Sequence, residues 1–270
     1  MRDAELFLVD AGGAESNVAA HVAGLGHPAA WFSHLGDDVL GERVARQLTE
    51  RGIDVSRVVF DPNHPTGVYF KDPGRGVSYY RAGSAASHLT ADAAETIDLE
   101  GVKILHVSGI TAAISASASA FLARIMDRAL ARNILVSFDV NYRAPLWEIP
   151  TAAPALAAFV GRADIVFTGR DEAETLWGTS TPESVRNLFP DVAELVVKDG
   201  SIGATTFAGD VQIFEPSERV VVVDVVGAGD AFAGGYLAGL LDGAPVGERL
   251  RSGHARAALT LQTAGDSLHP

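Results

Sequence analysis

The sequence predicts an α/β chain folded in three layers: a mainly parallel central sheet, helices on both of its faces, and a small β-sheet lid. Three observations predict it. Apolar runs of strand length alternate with stretches of helical length along most of the 270 residues, the pattern of repeated strand–helix–strand units. Polar residues gather where the predicted strands finish: Ser108-Gly109, Asp139-Asn141, Thr168-Gly169, Lys198-Asp199 and Gly227-Asp230. In an open parallel sheet those ends line one crevice, and ligands bind there. Finally, PTGVYFKDPGRGVSYYRAGS (65–84) breaks the alternation with two β-like runs around a Pro/Gly turn, as a projecting lid would.

Each element has its own justification. Residues 6–10 are assigned to the lid and 65–82 supply its other strands, within a single domain spanning 1–270. PAAWFSHLG (28–36) reads as a strand and DDVLGERVARQLTERG (37–52) as the helix after it, closed by Gly52 where a left-handed residue commonly ends a helix. KILHVSG (103–109) leads into a helix from Ser115 to Arg132, and ILVSFDVNYR (134–143) into a helical segment around 151–161. DIVFTGRDEAETLWG (164–178) holds strand and helix together, AELVVKDG (193–200) is a further strand, and TTFAGDVQIFE (205–215) is a hairpin. Val220 to Val223 are β-branched without interruption and fit a strand buried on both faces.

After those valines comes DVVGAGDAFAGG (224–235). From Ala231 the pattern AFAGGYLAGLL is helix-like, yet it carries Gly234, Gly235 and Gly239. Each interior glycine costs about 1 kcal/mol relative to alanine, so close packing on a neighbouring backbone is expected there. The turn is then Gly227-Ala228-Gly229, with Asp230 in the first helical turn. Such a junction leaves free N–H groups at the positive end of a helix dipole, which makes an anion site. The stretch is not a dinucleotide fingerprint, because Phe232 stands where a third glycine is needed, and it lacks the GK[ST] of a P-loop. A nest of N–H groups beside a carboxylate suits phosphoryl transfer. The nest holds charge on the transferred group while the carboxylate takes a proton from an attacking hydroxyl.

Composition narrows the partners. A formal charge of −13 argues against nucleic acid or an anionic membrane, and small molecules remain. The absence of cysteine excludes disulfides and thiolate zinc sites, and the 8 histidines show no HxxxH or HxxH pairing. MRDAELFLVDAGG has no signal-peptide layout, so a cytoplasmic location is expected. If 76–82 is a strand, Val77, Tyr79 and Arg81 share one face and Tyr80 takes the other. An inward Tyr-x-Arg pair offers a phenol to hydroxyls and a guanidinium to a carboxylate, with Arg143 as a second clamp. From the residues alone, ring packing across the hairpin and a solvated edge charge are the preferred account of these side chains.

The resemblance to a known family rests on three stretches. DVVGAGDAFAGGYLAGLL resembles the C-terminal signature of the ribokinase-like (PfkB) carbohydrate kinases. GGAESNVAAHVAGLG (12–26), with Gly36 following, resembles the family's first signature, and SFDVNYR (137–143) its Asp-x-Asn-x-Arg segment. Within the family, GGAESN (12–17), PTGVYF (65–70) and YYRAGSAAS (79–87) are most similar to the 2-keto-3-deoxygluconate kinases. The resemblance implies a ribokinase-like fold whose β-sheet lid closes over a sugar, and the use of ATP with Mg2+. It implies sugar contacts from Gly13, Asn17, Tyr69, Tyr79, Arg81, Ile110 and Arg143. Asp230 would be the catalytic base beside an anion hole of Gly227, Ala228 and Gly229, and nucleotide contacts would come from Lys198, Gly200, Gly203, Gly227 and Gly229. Glu172 would reach the metal through water, whereas Glu174 reads as helix surface.

Some positions depart from the family. Gly169 stands where asparagine is frequent, Val225-Val226 where a hydroxyl residue is common, and His254 where asparagine is frequent. Members also have a core strand and hairpin before the position matched by Met1, which predicts either a start placed too far downstream or a sheet one strand short. The implied activity is ATP-dependent phosphorylation of a 2-keto-3-deoxy sugar acid at its 6-hydroxyl, in a homo-oligomer paired through the lid sheet. A neutral-sugar kinase of fructokinase or ribokinase type, a truncated non-catalytic sugar- or nucleotide-binding protein, and a nucleoside kinase stay open at this point.

Overall fold

The computed structural model describes residues 5–72, 76–263 and 265. The chain begins with helix α1 (Ala14–Gly24), then strands β1 (Ala29–Ala30) and β2 (His34–Gly36), helix α2 (Val39–Glu50), and strands β3 (Ile53–Asp54) and β4 (Val59–Asp61). The lid hairpin is β5 (Val68–Asp72) with β6 (Gly76–Tyr80), followed by a short 3-10 turn at Ala85–His88 and helix α3 (Ala91–Thr96). Next come β7 (Ile104–Ser108), α4 (Gly109–Ile114), α5 (Ala116–Leu130), β8 (Leu135–Asp139), α6 (Ile149–Val160), β9 (Ile165–Gly169), α7 (Arg170–Trp177) and α8 (Pro182–Leu188). The chain closes with β10 (Glu194–Asp199), β11 (Gly203–Ala208), β12 (Val211–Pro216), α9 (Ala228–Leu241) and α10 (Val246–Leu261).

The main sheet has 6 strands in the order β12-β11-β10-β9-β8-β7. β7 to β10 run parallel, while β11 and β12 return antiparallel. Burial alternates along its strands with the period of two that a sheet covered on both faces requires. On β9, Val166 packs with Phe121, Leu122 and Leu156 of α5 and α6, whereas Ile165 and Phe167 turn to Val18, Phe232 and Tyr236 of α1 and α9. β10 repeats the pattern, with Leu195 and Val197 on the first face and Val196 on the second. Three layers result, as expected.

Helix ends follow their capping chemistry. Asp38 accepts from the amides of Leu40 and Gly41 at 3.1 and 2.8 Å and starts α2; Ser115 accepts from Ala118 at 3.0 Å and starts α5. Gly52 and Gly178 close α2 and α7 with φ of 82° and 72°. The glycines of α9 pack closely, as anticipated. A Cβ on Gly234 would meet His21 of α1 at 2.5 Å, and one on Gly235 would meet the Ser252 carbonyl of α10 at 2.5 Å. A carbonyl on a packed helix cannot swing aside as a flexible side chain can. Gly235→Ala is therefore expected to part α9 from α10 and to destabilise the fold by about 1–3 kcal/mol, read as a lower urea midpoint with unchanged slope.

Three expectations need correction. Val220 to Val223 form no strand: they lie outside every sheet, with Val221, Val222 and Val223 at 83, 53 and 57 % exposure. Their backbone finds no strand edge to join, and Val223 N–H instead donates to the Leu261 carbonyl at 2.7 Å. Residues 6–10 likewise form no strand, although Phe7 packs edge-on against Phe70 of the lid at 5.5 Å. The segment 28–36 divides into two short strands that pair with β3 and β4 rather than with the main sheet. The tip of the lid turn, 73–75, falls outside the described residues.

Among the described residues β7 pairs only with β8, and β2 only with β4. Between these strands lies a cavity of about 240 Å³, walled by Trp31, Phe32 and Leu35 on one side and His106 and Val107 on the other.

Candidate active site

The ends of β8, β9 and β10, the first turn of α9, the start of α1 and the inner face of the lid enclose one cleft of about 720 Å³. All seven residues assigned to sugar binding line it: Gly13, Asn17, Tyr69, Tyr79, Arg81, Ile110 and Arg143. So do Lys198, Gly227, Gly229, Asp230 and Glu172. The hairpin register places Tyr69 opposite Tyr79, and their rings lie 6.1 Å apart. Val77, Tyr79 and Arg81 face the cleft while Tyr80 is 62 % exposed, the sidedness that strand alternation requires. The Arg81 guanidinium lies over the Tyr79 ring at 4.1 Å, and its buried Nε and Nη2 have no partner among the described residues. Burial holds this guanidinium below its ordinary pKa. An arginine in that state asks for an anion.

Asp230 stands in the first turn of α9 and lines the same cleft as the lid residues. Gly227 precedes the helix with φ 85°, a left-handed turn that no side chain caps, so the helix terminus is open to the cleft. Ala228 does not line the cleft, and its amide turns back to the Val225 carbonyl at 3.4 Å. The expected anion hole therefore centres on Gly227 and Gly229. Asn17 Nδ2 donates to Asp230 Oδ2 at 2.8 Å and fixes the carboxylate, while the Asn17 Oδ1 and Asn141 Oδ1 remain buried and unpartnered. Burial pushes the Asp230 pKa up to about 7; the Asn17 bond opposes this, Asp139 adds to it, and Lys198 and Arg143 oppose it. A carboxyl poised there holds and releases a proton at neutral pH.

Beneath Asp230, Lys198 Nζ pairs with Asp139 Oδ2 at 2.8 Å. Glu172 is placed differently. Its oxygens accept from the amides of Tyr142 and Gly169 and from the Thr168 hydroxyl, and they bind the start of α7 to the loop after β8. Burial raises its pKa, and Asp139 adds to the rise. Among the described residues no three His, Asp or Glu side chains are grouped to hold a cation. The nucleotide fits better, since Gly227, Gly229 and Lys198 offer an open helix terminus and an ammonium to a phosphate.

Gly200 and Gly203 do not line the cleft. Gly200 makes the turn between β10 and β11 with φ 50°, and a Cβ on Gly203 would collide with the Glu215 carbonyl of β12, so each glycine has a reason in the hairpin itself. Glu174 pairs with Arg170 at 2.7 Å on the surface, as read. The sequence reading gave no role to Asp139 or Asn141, which both line the cleft at the end of β8; their position at a strand end was the available signal. At the mouth, Lys71 of the lid pairs with Asp224 at 2.5 Å and ties β5 to the segment before α9.

Comparison with known proteins agrees with this arrangement. The profile described as pfkB family carbohydrate kinase matches residues 4–269. The chain is 37 % identical over 265 residues to 2-dehydro-3-deoxygluconokinase of Bacillus subtilis (strain 168), covering 94 % of this chain and 81 % of that protein. A PfkB protein of Polaromonas sp. JS666 superimposes with a TM-score of 0.89 at 35 % identity, covering 98 % of this chain and 90 % of the other. The fructokinase of Vibrio cholerae O395, solved with fructose, ADP and calcium ion, gives 0.88 at 27 % identity, with 99 % and 90 % covered. No helix among the described residues is long and apolar enough to cross a membrane.

Proposed function

The chain belongs to the pfkB family of carbohydrate kinases, and from that premise we propose that it phosphorylates the 6-hydroxyl of a 2-keto-3-deoxy sugar acid such as 2-keto-3-deoxygluconate. The single observation that carries the choice of an acid is Arg81, which lines the cleft, lies over the Tyr79 ring and has two buried nitrogens without a partner among the described residues. A hydroxyl of a neutral sugar can accept one of those N–H bonds, whereas a carboxylate accepts a pair of them and also meets the guanidinium charge. Arg143 lines the same side and supplies a second cation. Similarity to a fructose-bound fructokinase favours a second reading, a neutral-sugar kinase.

In the proposed reaction, Asp230 in its ionised form accepts the proton of the 6-hydroxyl. The sugar oxygen forms its bond to the γ-phosphorus of ATP, and the bond from that phosphorus to the bridging oxygen breaks. ADP leaves with the electron pair, and the proton ends on Asp230. The Gly227 and Gly229 amides face the charge that develops on the transferred group. Mg2+ bound with the nucleotide supplies charge neutralisation of the phosphates. The lid, held by Lys71 to Asp224, excludes the water that would otherwise accept the phosphoryl group. Its outer strand edge offers a surface for pairing with a second copy, as the oligomer proposal requires.

A panel assay tests the reading. Mg·ATP is supplied with 2-keto-3-deoxygluconate, 2-keto-3-deoxygalactonate, fructose and ribose, and ADP release is followed by a coupled reaction. Turnover with a sugar acid well above that with fructose and ribose is the expected result. Preference for fructose or ribose would replace the acid reading by the neutral one, and flat traces throughout would replace both by a non-catalytic binding protein.

A further inference from the structure

Lys198 and Asp139 are 59 residues apart in sequence but adjacent at the floor of the cleft, at the ends of β10 and β8. Asp139 is 3 % exposed; its Oδ1 accepts from the Asn141 amide at 3.2 Å and its Oδ2 holds the Lys198 ammonium at 2.8 Å. The ammonium also reaches the phosphoryl-binding turn. A Cβ placed on Gly229 would lie 3.5 Å from Lys198 Nζ, an ordinary contact distance, so the ammonium sits against that turn. The ring of Phe167 lies below the same nitrogen at 5.9 Å and walls it from the core. A lysine on a four-carbon stem has many rotamers, and a carboxylate on one side and a ring on another narrow them here.

We propose that Asp139 is a positioning residue that acts through Lys198, holding one ammonium between the Gly229 turn and the Asp230 carboxylate. The inference rests on the kinase reading above, and it goes beyond that reading by giving a part to a carboxylate to which no contact with sugar or nucleotide is assigned. The pair does two things. It presents a fixed positive charge to the group transferred at the turn, and it balances a like charge and an opposite charge on Asp230. The groups that face Asp230 are Asn17 from α1, Asp139 and Arg143 from β8 and the loop after it, and Lys198 from β10. Lys198 is faced by Asp139, Glu172 and Asp230, and their carboxylates outweigh the effect of burial and keep it charged. His106 of β7 also faces Asp139 and Lys198, and burial holds it neutral by lowering its pKa.

The test uses Asp139→Asn, Lys198→Met and the double variant, each in the full chain. Replacing both members removes a buried ion pair without stranding either charge, so the double variant keeps a folded reference even if one single variant is unstable. The ionisation of Asp230 is read in the ligand-free protein by NMR of 13C-labelled aspartate, which needs no substrate and so stands whatever the sugar panel shows. Asp139→Asn removes a negative neighbour and is expected to move the Asp230 titration down, by about half a pH unit or more; Lys198→Met is expected to move it up. With the sugar accepted in the panel, kcat of each single variant is expected to fall about 10-fold, and that of the double variant no further than Lys198→Met. Losses that multiply in the double variant would show that Asp139 does not work through Lys198. Titrations that stay put or move in the same direction overturn the proposal as well.

Discussion

Asp230→Asn is expected to lower kcat by about 1,000-fold while leaving the KM for ATP nearly unchanged, because the amide keeps the shape of the side chain and loses only the proton acceptor. Asn17 Nδ2 now donates to a carboxylate oxygen at 2.8 Å and can donate equally to an amide oxygen, so the first turn of α9 should stay in place. The pH dependence makes the test sharper. Burial first, and Asp139 next, push the Asp230 pKa up to about 7 against the pull of Asn17, Lys198 and Arg143. The base must be ionised to act, so kcat/KM in the parent protein should climb through neutral pH and level off about one unit higher. The residual activity of Asp230→Asn should lack that limb. Activity near that of the parent, or an unchanged limb, removes Asp230 from the role.

The same substitution should move stability the other way. An unfolded aspartate ionises near 3.8, whereas Asp230 holds its proton until about 7. Between those values the folded chain binds the extra proton, so stability contributed by this group falls as pH rises, and above the window the penalty is constant. A shift of that size corresponds to on the order of 4 kcal/mol, and water in the cleft screens the carboxylate and reduces it to roughly 1–2 kcal/mol. Asp230→Asn should therefore melt a few degrees higher than the parent at pH 8 and at nearly the same temperature at pH 4. A side chain that is worse for the fold than its neutral isostere is best explained by what it does in the cleft.

Local pattern made much of this fold legible. β8, β9 and β10 are apolar runs buried on both faces, and the helices after β2 and β9 close on Gly52 and Gly178 where sequence alone places their ends. Glycines in α9 announced close packing before any partner was known, because their cost in a helix must be offset somewhere. Pairing was not legible. Val220 to Val223 have every local property of a strand, but a strand also needs an edge to join, and that is decided by distant segments. Gly203 shows the same limit at the site: a Cβ there would meet the Glu215 carbonyl of the next strand, a demand that no nearby residue announces. The Asp139–Lys198 pair is of the same kind: both residues stand at strand ends that the pattern sends to one crevice, but which side chains meet there at 2.8 Å is set by strand order and register.

Arg81→Ala should raise the KM for a 2-keto-3-deoxy sugar acid by about 10- to 100-fold, the range for losing a charge-assisted pair worth about 1.5–3 kcal/mol, and should leave kcat within a few-fold. The carboxylate of the substrate lies far from the bond being made, so the contact is the same in the ground and transition states and its loss appears in binding. Arg81→Lys separates charge from shape. An ammonium cannot make the paired N–H contacts of a guanidinium or stack as flatly on Tyr79, where the arginine now sits 4.1 Å from the ring centre, so only part of the affinity should return. Fructose supplies the decisive comparison. It has no carboxylate for Arg81 to meet, so its KM should hardly respond to Arg81→Ala if the arginine reads an acid. An equal rise for both sugars would mean that the substitution disturbs the lid through Tyr79 and reads no carboxylate, and the choice of a sugar acid would then lose the side chain on which it stands.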